Sequence, residues 1–79
     1  MDVQKVLHYF TTKLVDKPEE VEIIFTQTPE KNIYEIKVSP LDFAKVIGKE
    51  GRTFKALRSF INTVDAENRN DLVIDTTVV

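Results

Sequence analysis

Gly48 and Gly51 are the only glycines among the 79 residues, and they bracket Lys49 and Glu50 within Val46-Ile47-Gly48-Lys49-Glu50-Gly51-Arg52. Glycine has no Cβ, so it adopts positive φ and lets a second backbone approach closely. Two glycines three residues apart make a tight, bare corner. Basic side chains surround it: Lys45, Lys49, Arg52, Lys55 and Arg58 fall within fourteen residues, opposed only by Glu50. That window carries +4 in a chain whose net charge is −2, so the remainder is −6. A basic island in an acidic protein is a local steering feature rather than a general affinity for polyanions. The chemistry that suits such a corner is the gripping of phosphate. Gly51 hands over to the start of a helix, whose first amides lack intrahelical partners and whose dipole end is positive. Arg52, Lys55 and Arg58, spaced by three, rise along one side of that helix and can follow a sugar-phosphate backbone. Ile47, just before the turn, can floor a groove on which bases rest. Taken alone, the two glycines also fit an ordinary helix–turn–helix corner with Gly48 ending the first helix. Lys55 and Arg58 likewise fit a solvated helix face.

The elements that must hold this corner follow from periodicity. Val3, Val6, Leu7, Phe10 and Leu14 recur at steps of three and four, which predicts an amphipathic helix capped by Asp2 and limited by Pro18. Val21, Ile23 and Phe25 alternate with polar or outward residues, as do Tyr34, Ile36 and Val38. These runs predict two strands, joined into an antiparallel hairpin by Thr28-Pro29-Glu30-Lys31-Asn32. Glu22 and Lys37 can face each other across it, a register the pattern leaves open. Ser39-Pro40-Leu41-Asp42 is a helix start: Ser39 suits the cap, accepting from the third amide, Pro40 the first position, and Asp42 the positive end. Phe43, Val46 and Ile47 supply the buried side of that short helix. Phe54, Leu57, Phe60, Ile61 and Val64 mark a longer one, with Phe54 and Phe60 read as core. A polar loop over residues 65–71 leads to a last strand over 72–79, with Leu72, Ile74, Thr76 and Val78 on one face. A helical connection of this length lets the second and third strands run parallel. The expected fold is α+β: a three-stranded mixed sheet with three helices on one face, as one domain over residues 1–79.

Composition narrows the functional classes. The chain has no cysteine and one histidine, His8, placed off the apolar stripe of its helix. Disulfides and thiolate chemistry are therefore excluded, and no metal-ligand spacing such as H-E-x-x-H occurs. Gly48-Lys49 is not a nucleotide-binding P-loop, since Phe43 stands where the first glycine is required and Glu50 replaces the Ser or Thr. No enzyme, metal or cofactor is expected. No apolar run is long enough to span a bilayer, and the first residues lack the pattern of a signal peptide. The expected setting is the cytoplasm, with no membrane association.

Here the residues carry a resemblance. Val46-Ile47-Gly48-Lys49-Glu50-Gly51-Arg52 resembles the V-I-G-x-x-G signature of KH domains, whose G-x-x-G loop clamps single-stranded nucleic acid. The order helix–strand–strand–helix–helix–strand is similar to the bacterial type II KH fold. Over nearly its full length the chain resembles the small single-domain RNA-binding proteins of the KhpA family. Residues 14–21, Val38-Ser39-Pro40 and, above all, residues 48–58 carry that likeness. The resemblance implies a single-stranded RNA ligand of about four nucleotides. It implies RNA-binding roles for Lys45, Ile47, Gly48, Lys49, Glu50, Gly51, Arg52, Lys55 and Arg58. It also implies a homodimer, or a heterodimer with a larger Jag-type KH protein, and global RNA-binding work linked to cell elongation and division. Glu50 departs from the basic or neutral residue common at its position, and its carboxylate would repel phosphate. A KH-like protein-interaction module is the alternative, separable because phosphate binding weakens steeply with salt whereas apolar docking does not.

Overall fold

The computed structural model describes residues 1–77. The amide of Lys5 donates to the Asp2 carboxylate at 3.2 Å, capping helix α1 (Val3–Leu14) as its sequence predicts. Its inner edge differs from the expected stripe. Leu7 and Thr11 are fully buried, whereas Phe10 and Leu14 are 46% and 39% exposed. The helix turns its Leu7–Thr11 edge to the core; the Thr11 hydroxyl finds no partner among the described residues. A turn of 3₁₀ helix (Pro18–Glu20) then leads into the sheet.

Strand β1 (Glu22–Gln27) pairs antiparallel with β2 (Asn32–Val38), and Glu22 does stand opposite Lys37. Strand β3 (Asn70–Thr76) lies parallel to β2, with Tyr34 opposite Leu72, so the sheet order is β1-β2-β3. β3 begins two residues earlier than its apolar alternation suggests, and Val78 lies outside the described residues. Ile23, Tyr34, Ile36, Val38 and Leu72 point to one side and are buried with Leu7, Val46, Leu57 and Ile61 from the helices. Phe25 shares the β1 alternation but is half-exposed, its ring 5.0 Å from that of Tyr34. The crossover from β2 to β3 contains a 3₁₀ turn (Pro40–Asp42), α2 (Phe43–Ile47), a second 3₁₀ turn (Lys49–Gly51) and α3 (Arg52–Val64). This is the mixed α+β architecture that the sequence predicts.

The early start of β3 has a local cause. Asn62, in the last turns of α3, accepts from the Asn70 amide at 3.2 Å and donates to its carbonyl at 3.1 Å. The buried Asn70 side chain donates to the carbonyls of Asp65 and Asn68, and accepts from Asn32 of β2. A stretch that reads as a polar loop is thus a knot of amides that satisfies its own buried backbone.

Candidate nucleic-acid interface

The approach to the loop is built differently from its sequence signature. The Ser39 hydroxyl accepts from the second amide, Leu41, at 3.3 Å rather than from the third, because the helix opens as a 3₁₀ turn. Asp42 does not sit at an exposed helix start. It is 1% exposed, and its two carboxylate oxygens accept from the amides of Asp16 and Lys17, each at 3.0 Å. The chain leaving α1 is thereby tied to the base of α2. Lys45 Nζ lies 3.5 Å from Asp42 and also pairs with Asp16, so its charge is locally balanced. The bonds from the Asp16 and Lys17 amides and the nearby Lys45 hold the Asp42 carboxyl below its ordinary value of 3.8, against the opposing effect of burial. A carboxyl with a depressed folded pKa contributes stability above its unfolded value and loses it as pH falls through the folded one. The Asp42→Asn variant is expected to melt several degrees below wild type near neutral pH, with the gap closing on acidification. Circular dichroism melts across that range check this; a gap independent of pH would exclude the carboxylate charge as its source.

The loop itself rests on three left-handed residues. Gly48 has φ +79° and donates its amide to the Ala44 carbonyl at 2.9 Å, ending α2. A Cβ there would stand 2.4 Å from Thr53 Oγ1 and 2.8 Å from Thr53 Cβ, so the first turn of α3 packs directly on this glycine. Gly51 has φ +73°, but a Cβ there would meet only the end of the Lys55 side chain, at 3.9 Å. Gly48 is the packed side of the corner and Gly51 the open one. Between them Glu50 adopts φ 56°, the sole non-glycine residue with positive φ among those described. Its carboxylate lies 3.2 Å from the Arg52 guanidinium, and both side chains are exposed. The residue that departs from the usual loop chemistry is therefore held against one of the cations of the loop.

Beyond the loop, no side chain caps the N-terminus of α3 and no acidic residue stands in its first turn. The nearest carboxylate to the positive end of the helix is that of Glu50, one residue before its N-cap and paired with Arg52. Lys49, Arg52, Lys55 and Arg58 are all exposed around it. Beside them is a shallow cavity of about 360 Å³, lined by Ile47, Gly51, Phe54, Lys55, Leu72, Val73 and Ile74. It runs along β3, an edge strand with β2 on one side only. An edge strand presents unpaired amides and carbonyls. The Arg58 guanidinium sits 5.7 Å from the Phe54 ring centroid, which holds its charge beside this cleft. Phe54, assigned to the core by its spacing, serves both: it packs against the core and walls the cavity. The contribution of β3 is invisible in a local motif, since Leu72–Ile74 lie more than twenty residues from the glycines.

A glycine loop flanked by exposed cations, beside a cavity lined by apolar residues and an edge strand, has the design of a KH domain. A family model described as "KhpA/KhpB, KH domain" matches residues 4–75. The chain belongs to the KhpA/KhpB KH-domain family. Among its KhpA relatives, the RNA-binding protein KhpA of Chlamydia pneumoniae is 44% identical over 66 residues, covering 84% of this chain and 85% of the relative. That of Chlamydia caviae is 47% identical over 62 residues, covering 78% and 80%. RNA-binding protein KhpA of Clostridium perfringens is 36% identical over 73 residues, covering 92% and 97%. The KhpA/KhpB family is non-enzymatic. Among the described residues no helix is long and apolar enough to cross a membrane.

Proposed function

We propose that this chain, as a single KH domain over residues 1–79, binds single-stranded RNA in the cleft between the glycine loop, α3 and β3. The observation that carries the reading is the pairing of the uncapped, cation-flanked start of α3 with an apolar cavity on the sheet edge. Gly48 and Gly51 shape the loop. Lys49, Arg52 and the first amides of α3 hold phosphates, and Lys55 and Arg58 extend the path. Ile47 and Phe54 support the bases, whose polar edges meet the free groups of β3. Lys45 contributes least, because Asp16 and Asp42 already balance it. A single domain makes few base contacts, so its role is broad: RNA chaperoning or post-transcriptional regulation in the cytoplasm.

Pairing of domains, as a homodimer or with a larger Jag-type KH protein, raises affinity by making the second contact intramolecular. The apolar groove between α1 and α3, lined by Phe10, Leu14, Ala56, Leu57 and Phe60, favours such a protein contact.

The test is fluorescence anisotropy of a labelled single-stranded RNA pool over a range of salt. Binding that falls linearly with log salt, at a slope of about 0.7 per phosphate gripped, supports the reading. Failure to bind at low salt transfers the basic face to protein docking. Glu50 supplies a gain-of-function arm. The Glu50→Asn variant frees Arg52 and places at φ 56° a residue that tolerates it. Its affinity is expected to rise by roughly three- to tenfold, with a salt slope steeper by about 0.7. An unchanged affinity would show that the Glu50–Arg52 pair does not compete with RNA.

A further inference from the structure

None of the chain's 13 Asp and Glu residues lies in α1 or α3, which between them carry Lys5, Lys13, Arg52, Lys55 and Arg58. In a chain of net charge −2, the two longest helices are thus wholly cationic. The carboxylates next to them in the chain stand beyond their ends and are engaged there. Asp2 caps α1, Asp16 pairs with Lys45, Glu50 pairs with Arg52, and Asp65 accepts from Asn32 and Asn68. Between the two helices lies an apolar groove of about 370 Å³, lined by Phe10, Lys13 and Leu14 of α1 and by Thr53, Ala56 and Phe60 of α3, among others. Lys13 is its only charged lining residue, and among the described residues it meets no carboxylate.

Shape and charge say what covers this groove. Phe10 and Leu14, both half-exposed, stand one turn apart on α1, as Ala56 and Phe60 do on α3. Two such rows accept the side-chain ridge of a third helix. The aromatic geometry disfavours nucleobases. Phe10 meets Tyr9 and Phe60 edge to face, at 5.7 and 6.4 Å, and Lys13 Nζ stands 5.2 Å from the Tyr9 ring centroid. The rings are engaged with one another and with Lys13 rather than set out as platforms on which bases stack. Charge disfavours a second copy of the chain. An isologous contact sets the same patch against itself, cationic helix on cationic helix with no carboxylate between. A helix that fits here carries its own carboxylates.

Resting on the reading of this groove as a protein contact, we propose that its occupant is an amphipathic helix of a different protein, with apolar residues at steps of three and four and Asp or Glu flanking them. The apolar stripe lies along Phe10, Leu14, Ala56 and Phe60, and a flanking carboxylate meets Lys13. No residue lines both this groove and the cleft beside the glycine loop, so the partner leaves that cleft open. Thr53, which packs on Gly48, brings the groove up to the back of the loop.

The test is an NMR titration of the full chain with two blocked helical peptides of about 18 residues. They share one leucine stripe and differ only in its flanks, glutamate in one and lysine in the other. The glutamate peptide is expected to shift Phe10, Leu14, Ala56 and Phe60 saturably, and to bind about tenfold more tightly than the lysine peptide at low salt. Lys13→Glu, at an exposed position, should weaken the glutamate peptide about three- to tenfold and strengthen the lysine peptide. Ala56→Gln, exposed and compatible with the helix, should weaken both by filling the groove. Labelled RNA should bind equally well with and without the glutamate peptide; a loss would place the peptide in the cleft and overturn the proposal. The acidic partner is overturned, with the protein contact standing, if both peptides bind equally, or if protein concentration alone shifts the same residues, as a second copy requires. The protein contact falls with it if neither peptide nor dilution moves these residues, or if RNA moves them instead.

Discussion

Reversing both loop charges, Lys49→Glu with Arg52→Glu, is expected to weaken single-stranded RNA binding by at least about 100-fold. Each cation in contact with phosphate makes a charge-assisted hydrogen bond worth about 1.5–3 kcal/mol, and every 1.4 kcal/mol is tenfold in affinity. Replacement by carboxylates adds repulsion. The salt slope should flatten by about 1.4, which corresponds to two released phosphate contacts. The fold should be untouched, since Lys49 and Arg52 are exposed. The single ion pair lost, Glu50–Arg52, is a surface pair of the kind that contributes little. Anisotropy across salt, with circular dichroism on the same samples, measures both parts. A folded double variant that keeps wild-type affinity and slope would remove the loop from the binding surface.

Gly48→Ala should act on stability first. Its backbone, φ +79° and ψ 172°, lies in a region that is essentially reserved for glycine, at a cost of about 1–3 kcal/mol for another residue. The new methyl would also overlap Thr53 Oγ1 at 2.4 Å, and forced overpacking costs about 1–3 kcal/mol more. The total, roughly 2–6 kcal/mol, is a large part of the stability of a domain this small. Gly51→Ala meets open space at an ordinary left-handed φ/ψ and should cost only about 1–2 kcal/mol. Urea denaturation of the two variants side by side gives the comparison, and equal losses would refute the packing role assigned to Gly48. A variant at Gly48 therefore confounds folding with binding, whereas the charge variants separate them.

The order of elements, the strand pairings and the loop were legible because each rests on a local pattern. Tyr34, Ile36 and Val38 alternate plainly, and Gly48 ends α2 where a glycine should. Contacts between distant residues were not. Asp42 looks like a helix-start residue, and nothing local announces that its oxygens reach amides 25 and 26 residues away. Lys45 counts as free charge until Asp16 arrives beside it. Thr11 hides in α1 because a hydroxyl breaks the apolar pattern, although its methyl fills the core. Phe54 has core spacing and a cleft-facing surface at once, a double role that periodicity cannot express.

The parallel pairing of β3 with β2 has a consequence for the timing of assembly. One wall of the cleft comes from Leu72–Ile74, while the glycine loop belongs to the crossover that must close before β3 can dock. Pairings across such a loop form late, because its closure entropy opposes them until the strand is in place. A nascent chain that has emerged only as far as Asn68 carries the entire glycine loop and every cation around it, yet has no cleft. The cleft thus arrives in one late step, when β3 leaves the ribosome and zips onto the sheet, and until then the loop is merely a basic segment on an unfinished fold.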